Sequence, residues 1–600
     1  MTMTENALLA NELGIDGVLT EHKILLPTVY FDITDAILFL RDNVNVSGIQ
    51  RVITCLFTTI KNNIETFSNN VKFCYFDGDT KTVFEVSDTN FSNFLKLIKN
   101  PNIKRDILNK QLSQSINKNA IIPIAGDVYV ILGAFWVSPN YSQIFQLYNS
   151  LGIKIGVYIY DLIPITSHEF VARITARGFA EQLLKIISHS DFVMTISKYV
   201  GQEVSALVSR TLHNNIPVFP IPLAQDIDII PASGAMSRKI LAATSKPFIL
   251  CVGTIEIRKN HAFLIKVWER LIKSQPDQVP RLVIVGRWGW HVDDLKAMLE
   301  RTNYLDDAIV VMSDVADSEL SYLYEKCLFT VFPSFVEGWG LPIGESLVHG
   351  KLCVASNTSS MPEVGGDFVQ YIDPYNLTGG IEVISRLINN PSEVRAAEKR
   401  IREEFKPRTW ADVAADMAKA ISAVPGQAVG RNDPRCTLPQ GEIIAFSHNQ
   451  VFGTSPQELK KFTYQIACDE GWDVPEDWGR WALSRSPRLR FKLQGIVDSR
   501  QLRLALRLQL PAPDCRVEVT ALSGGEATTF IMPNGLPHWY FVSGRAQDDG
   551  TVDIKLTIKG TIPKVDPVRS LFIGMSRLAI VEQDNFENRM QMMEMIRSIR

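Results

Sequence analysis

The stretch VFPSFVEGWGLPIGE, from Val331 to Glu345, carries the residue types best suited to chemistry. A buried strand is expected to end at Pro333, a glycine-rich loop to follow, and a helix to start near Leu341 with Pro342 in its first turn. Glu337 then lies in the loop beyond the carboxyl end of a parallel strand, where open α/β sheets bind ligands. Glu345 lies one turn into the helix, so both carboxylates are expected to face one crevice. Gly338 and Gly340 let backbone amides approach a ligand closely, and the helix amino end adds a partial positive field. Either glutamate alone could be a helix-capping or solvated residue. The pair gains weight from VGTIEIRK, Val252 to Lys259, which reads as a strand, a turn and two adjacent cations before a helix opening at Asn260. There Arg258 and Lys259 are placed to hold a diphosphate by charge-assisted hydrogen bonds and the helix dipole together. A ligand that needs cations on one loop and hydroxyl-accepting carboxylates on the next is a nucleotide diphosphate sugar.

These loops need parallel sheets to position them. At about 150 residues per domain, the 600 residues predict a multidomain chain, roughly four units. From about residue 24 to 405, short β-branched runs alternate with amphipathic segments, the βαβ pattern of two parallel sheets. Strands are expected over Val29 to Asp35, Val71 to Phe76, Asp127 to Trp136, Ile153 to Asp161 and Phe192 to Ser197. A second set covers Pro247 to Thr254, Arg281 to Gly286, Ala308 to Met312, Phe329 to Pro333, Leu352 to Ser356 and Val369 to Ile372. Helices are expected over Ile49 to Lys61, Phe170 to Ile187 and Trp410 to Ala423. Val218 to Ala232, rich in proline, reads as the joint between halves. The resulting division is a tail over 1–23, α/β domains over 24–226 and 227–424, a linker over 425–440, a β-sandwich over 441–583 and a helical tail over 584–600. The sandwich follows from period-two alternation in segments such as Arg488 to Leu493 and Val552 to Ile558. Met592, Met595, Ile596 and Ile599 share one helical face of the tail.

Composition excludes several classes. Apolar residues are 46% and charged residues 21%, and the net charge of −3 gives no footing for nucleic acid. The eight cysteines form no Cys-x-x-Cys pair and read as reduced, mostly buried thiols. The histidines show no His-x-x-x-His pair, so no metal site is expected. Glu5 and Glu12 flank the early apolar stretch and no Lys or Arg precedes Lys23, which does not fit a signal peptide. No segment approaches a membrane span, so the expectation is a cytoplasmic protein with at most peripheral contact at the inner face of the plasma membrane.

VGTIEIRKN, VIVGRWG (Val283 to Gly289), the glutamate pair and SMPEVGGD (Ser360 to Asp367) resemble, in order and spacing, the retaining glycosyltransferases of the GT-B fold, family four. The resemblance covers about 400 residues. SGIQRV (Ser47 to Val52), VYIYDLIPITSHE (Val157 to Glu169) and SDFVMTISKYV (Ser190 to Val200) are similar to a subgroup that includes mannosyl- and rhamnosyltransferases of bacterial surface polysaccharides. GWDVPEDWGRWAL, Gly471 to Leu483, resembles a β module appended to such enzymes.

The resemblance implies two Rossmann-like domains facing a cleft, with Arg258 and Lys259 on the donor diphosphate, Glu345 on the ribose hydroxyls and Glu337 on the sugar hydroxyls. Backbone amides of Gly338, Trp339, Gly340 and Leu341 would contact sugar and phosphate, and Gly253, Thr254, Gly286 and Ser313 would complete the donor side. Gly48, Tyr160 and Asp161 would lie on the acceptor side. Thr254 stands where many members have Arg, and Tyr160 where many have His, which makes Asp161 the candidate for acceptor positioning. Ser313 stands where glycine is frequent near the nucleobase.

The implied reaction transfers a hexose, mannose slightly preferred, from a nucleotide diphosphate sugar such as GDP-mannose to a lipid-linked oligosaccharide or polysaccharide, with retention and with neither cofactor nor metal. The Asp-x-Asp triplets Asp77/Asp79 and Asp226/Asp228 are expected to be ordinary turn and joint residues. A GT-B sugar-nucleotide epimerase and a catalytically silent glycan-binding protein are the alternatives. Trp472, Trp478, Trp481 and Trp539 of the sandwich are either core residues or a sugar-stacking surface.

Overall fold

The structure is a computed structural model and describes residues 27–43, 48–98, 103–137, 141–211, 216–225, 236–276, 278–290, 292–424, 437–446, 469–472, 478–566 and 570–598. The first sheet contains β1 (Thr28–Asp32), β2 (Asn70–Asp77), β3 (Thr82–Val86), β4 (Ile116–Ala120), β5 (Val128–Ile131), β6 (Lys154–Ile159), β7 (Phe192–Thr195) and β8 (Val218–Pro220). Their order is β4-β3-β2-β1-β5-β6-β7-β8. β1, β2 and β5 to β8 run parallel, and β3 and β4 form an antiparallel edge. The second sheet contains β9 (Phe248–Val252), β10 (Arg281–Val285), β11 (Ile309–Met312), β12 (Thr330–Phe332), β13 (Cys353–Ser356) and β14 (Gln370–Ile372). It is wholly parallel in the order β11-β10-β9-β12-β13-β14. Segments such as FILCV and RLVIV are near-continuous apolar runs because both faces of a parallel sheet are covered.

In each sheet the order reverses once, between β1 and β5 and between β9 and β12. At such a reversal the loops leaving two neighbouring strands diverge, and a crevice opens outside their carboxyl ends. The register Thr330↔Leu250 sets the loops after β9 and β12 side by side.

The C-terminal module consists of two antiparallel sheets around one core. Leu489 and Phe491 of one sheet share that core with Leu504, Leu506 and Ile580 of the other. Arg488–Leu493 alternates strictly between half-buried and buried residues, as the sequence period predicts. The architecture is therefore the expected one, two Rossmann-like α/β domains and an all-β sandwich. No helix among the described residues is long and apolar enough to cross a membrane.

Three details differ from the sequence reading. β3, β4 and the module strand Glu526–Met532 were not expected. Val218–Pro220, placed in the joint, is an edge strand beside β7, where proline breaks no ladder bond on its open side. Helix Trp410–Ala423, assigned to the second domain, lies against helix Gly48–Asn62 of the first, presenting Val413, Ala414, Met417 and Ile421 as its apolar face. Lys154 Nζ anchors the Val424 carbonyl there at 2.8 Å. Trp472 and Trp481 are buried in the module core, and Trp478 packs on Trp481 with ring centroids 4.7 Å apart, so these rings are packing residues. Trp539 is half-buried beside the cluster in which Met592 and Ile596, from helix Phe586–Ser598, dock on Ala505, Ala579 and Val581. Met595 is half-buried, while Ile599, Ser47, Asp226 and Asp228 lie outside the described residues.

Candidate active site

β9 ends at Val252, and the chain turns through Gly253 into a short 3-10 turn, Ile257–Lys259, before helix His261–Ser274. Asn260 takes a left-handed conformation between turn and helix, and its side-chain amide donates to the carbonyls of Pro333 and Pro374 at 3.2 and 3.1 Å. That residue ties the β9 loop to the β12 loop. The tie is reinforced by Phe335 N–H donating to the Arg258 carbonyl at 3.0 Å and by Arg258 Nη1 donating to the Val336 carbonyl at 2.8 Å. Helix Leu341–Val348 begins after Gly340, with Pro342 in its first turn as expected.

The charged side chains of the two loops meet each other. Arg258 Nη1 lies 2.7 Å from Glu337 Oε2, and Lys259 Nζ lies 2.5 Å from Glu337 Oε1. Arg258 Nη2 also reaches Glu256 Oε1 at 2.6 Å. Two cations and two carboxylates give the cluster a net formal charge of zero. Glu256 and Glu337 are buried, and burial alone pushes the carboxyl of Glu337 up. Arg258 and Lys259 outweigh it and bring that group down to about 2. The Lys259 ammonium is pulled down by burial and by the neighbouring Arg258. Ser359 Oγ accepts from Glu337 N–H at 2.9 Å, and Ser360 Oγ donates to the carbonyls of Glu337 and Trp339. The loop that holds the carboxylate is thus fixed from below.

The opposite wall comes from the first domain. A Cβ on Gly338 would fall 2.1 Å from the Tyr160 carbonyl oxygen and 3.2 Å from the Asp161 Cβ, so only glycine lets this loop lie against the end of β6. Asp161 caps the turn that follows by accepting from Ile163 N–H at 3.0 Å. Burial raises its carboxyl, and Arg258 opposes that rise, which places Asp161 within electrostatic reach of the cluster. Tyr160 does not face the cleft as its position suggested. Its hydroxyl donates to the Leu132 carbonyl at 2.7 Å inside the first domain, because a buried phenol needs an acceptor and the core offers one.

Glu345 is held apart from Glu337. Its Oε2 accepts from Tyr324 hydroxyl at 2.9 Å, and its Oε1 is 3.0 Å from Arg51 Nη1 of the first domain. Gly253, Gly286 and Ser313 follow β9, β10 and β11 at the same sheet edge, and Thr254 and Ser313 are exposed. A Cβ on Gly286 would fall 1.9 Å from the Gly253 carbonyl, so glycine there permits the two loops to touch. Gly48 opens helix Gly48–Asn62 with φ of 53°. Sequence reasoning missed Glu256 and Arg51, although both lie inside the motifs VGTIEIRK and SGIQRV. It also missed Glu363 of SMPEVGGD, which accepts from Lys198 N–H and Tyr199 N–H at 2.8 and 2.7 Å and so caps a helix of the opposite domain.

The low value of Glu337 has a measurable consequence. A carboxyl held lower in the folded than in the unfolded chain adds stability above its ordinary value of 4.5 and loses it as pH falls toward 2. The melting temperature should therefore fall more steeply over that window in the wild type than in Glu337→Gln. Parallel curves for the two proteins would show that the pair adds nothing to folding.

Residues 234–404, most of the second α/β domain, match the sequence profile of the family described as "Glycosyl transferases group 1". The chain is 27% identical over 258 residues to O-antigen chain mannosyltransferase B of Escherichia coli, covering 42% of this chain and 62% of that one. It is 29% identical over 197 residues to the serotype-specific mannosyltransferase WbdA of Escherichia coli, covering 31% of this chain and 24% of that one. The chain thus spans less than two thirds of the length of either curated relative. Among solved structures, sucrose-phosphate synthase from Thermosynechococcus elongatus aligns over 66% of this chain and 98% of its own, at 13% identity and a TM-score of 0.44.

Proposed function

We infer that the chain is a retaining hexosyltransferase that moves a hexose, mannose preferred, from a nucleotide diphosphate sugar to a lipid-linked oligosaccharide or polysaccharide. The observation that carries this reading is the buried cluster of Arg258, Lys259 and Glu337 at the β9/β12 reversal, closed from the other domain by Asp161. The group 1 match of the second domain and the mannosyltransferase relatives support the class.

On this reading the donor diphosphate takes Arg258 and Lys259 as hydrogen-bond donors, and Glu337, released in part from them, accepts from the sugar hydroxyls. The glycosidic bond to the diphosphate breaks as the acceptor oxygen bonds to the anomeric carbon from the same face. The acceptor proton passes to the departing phosphate oxygen. The protein's task is to stabilise the charge that develops on that phosphate, and fixed cations in a water-poor cleft do this without reorganising. Asp161 orients the acceptor hydroxyl, and Gly48 lies on the same side.

The reading includes transfer without a metal. Asp77, of the first Asp-x-Asp triplet, is engaged in a hairpin turn, where Oδ1 accepts from Asp79 N–H at 2.9 Å. The sandwich is read as the part that handles the acceptor glycan.

The test is donor turnover across GDP-, UDP- and dTDP-hexoses, each with and without EDTA. One donor should be consumed and its turnover should survive EDTA. Loss in EDTA that Mn or Mg restores would overturn the metal-free part alone. Release of an epimerised free sugar with no transfer would favour the epimerase.

A further inference from the structure

We propose that Arg51 is a positioning residue of the nucleotide site, supplied by the domain opposite to the donor loops, which orients Glu345 and makes nucleotide binding draw the two domains together. The proposal rests on the reading of Glu345 as the residue that meets the nucleotide's ribose.

The two oxygens of Glu345 are held in different ways. Oε2 accepts from Tyr324, whose ring is stacked on His349 at 4.7 Å with an interplanar angle of 17°. His349 is itself bonded to Ser321 at 3.2 Å and, through Nδ1, to the Glu345 carbonyl at 2.8 Å. All these groups belong to the second domain and move with Glu345. Oε1, among the described residues, is bonded across the cleft, to Arg51 in the first turns of helix Gly48–Asn62.

Exposure separates the partners as well. The Glu345 side chain is 7% exposed and that of Arg51 is 38% exposed, so the cation reaches in from the cleft and the carboxylate is part of the floor. The Arg51 charge is reinforced by Glu345, by Cys55 of its own helix and by Asp317 against its burial. Both carboxylates lie on the second domain, so opening the cleft would take them away from Arg51. A buried carboxylate that loses its cation is costly, whereas one that keeps it still has lone pairs free for hydroxyl donors. With Arg51 in place, Glu345 is a charged acceptor of fixed direction for the two ribose hydroxyls. A nucleotide that engages it therefore favours the arrangement in which Arg51 is also engaged.

The neighbouring residue shows that this turn faces the cleft. Gln50 donates to Asp35 at 3.1 Å, at the β1/β5 reversal of the first sheet, while Arg51 crosses to the second domain.

The experiment is calorimetric titration of the full chain with GDP, UDP, ADP and dTDP, for the wild type, Arg51→Met, Arg51→Lys, Glu345→Gln and the Arg51→Met/Glu345→Gln pair, with small-angle scattering on each. Arg51→Met should weaken the cognate nucleotide roughly 10- to 100-fold, the loss expected for one hydrogen bond between charged groups. Arg51→Lys should recover most of it. The double variant should bind no more weakly than Glu345→Gln alone, and the ligand-free radius of gyration should rise in Arg51→Met.

Wild-type affinity or tighter binding in Arg51→Met, with Glu345→Gln impaired, would overturn the role of Arg51 and leave the nucleotide site standing. So would losses that multiply in the double variant. A wild type that binds none of the four nucleotides would bring down the site reading itself.

Discussion

Replacing Arg258 and Lys259 together by alanine should remove the thermal stabilisation that a cognate nucleoside diphosphate confers. At 100 times its dissociation constant a ligand adds about 2.7 kcal/mol to the wild type. Each cation is worth roughly 1.5 to 3 kcal/mol as a charged hydrogen-bond donor, so losing both should weaken binding by about 10² to 10⁴. The same change leaves Glu256 and Glu337 buried without counter-charges, which costs about 3 to 5 kcal/mol of folding stability. A second variant separates the two effects. Lys259→Met with Glu337→Met removes one buried cation and one buried carboxylate together, leaves Arg258 paired with Glu256, and should melt nearer the wild type than the double alanine variant does. It should still fail to transfer sugar. Unchanged nucleotide affinity in the double alanine variant would move the diphosphate site elsewhere.

The second large effect is a division of labour between the glutamates. Glu345→Gln should weaken free nucleotide and nucleotide sugar alike, by roughly 10- to 100-fold. Glu337→Gln should leave nucleotide binding intact or improve it, because Lys259 then loses its anionic partner and Arg258 keeps only Glu256, while turnover falls by roughly 100-fold. Equal nucleotide affinity in the two variants would show that the roles are not divided in this way.

Much of this arrangement is legible in the amino-acid order, for definite reasons. Strands such as Phe248–Val252 and Arg281–Val285 are unbroken apolar runs ended by glycine, and helix Leu341–Val348 carries its proline where a helix starts. Ile116–Ala120 reads INKNA and Glu526–Met532 reads EATTFIM. An edge strand with few buried residues has little hydrophobic pattern to detect. At the site, the types and the loop positions of Arg258, Lys259, Glu337 and Glu345 could be read, but not the partners. Arg258 and Glu337 are 79 residues apart, and Arg51 and Glu345 are 294 apart. Pairing over such separations follows from which strands adjoin and how the domains dock. A local motif contains neither. Tyr160 shows the converse error, since a position in a motif does not say which way the side chain turns.

The return of helix Trp410–Ala423 to the first domain bears on the sandwich in a way that no motif suggests. The chain crosses from the first domain to the second and back again, and the two crossings lie together where Gln225 N–H donates to the Arg408 carbonyl and Arg408 Nε to that of Pro222. The second domain is thus a loop hung from one doubled hinge. The end of helix Trp410–Ala423, from which the chain leads on to the sandwich, is tied through the Val424 carbonyl to Lys154 of the first domain. Twelve residues separate Val424 from Thr437, where the module's first strand starts, so these two ends lie at most about 45 Å apart. On the proposed function, a second domain that opened to exchange its nucleotide would leave that limit between the sandwich and the first domain unchanged. If the sandwich grips the acceptor as proposed, a growing polymer would be kept at high local concentration near Asp161 through successive openings, and many additions per encounter would be favoured over release after each one.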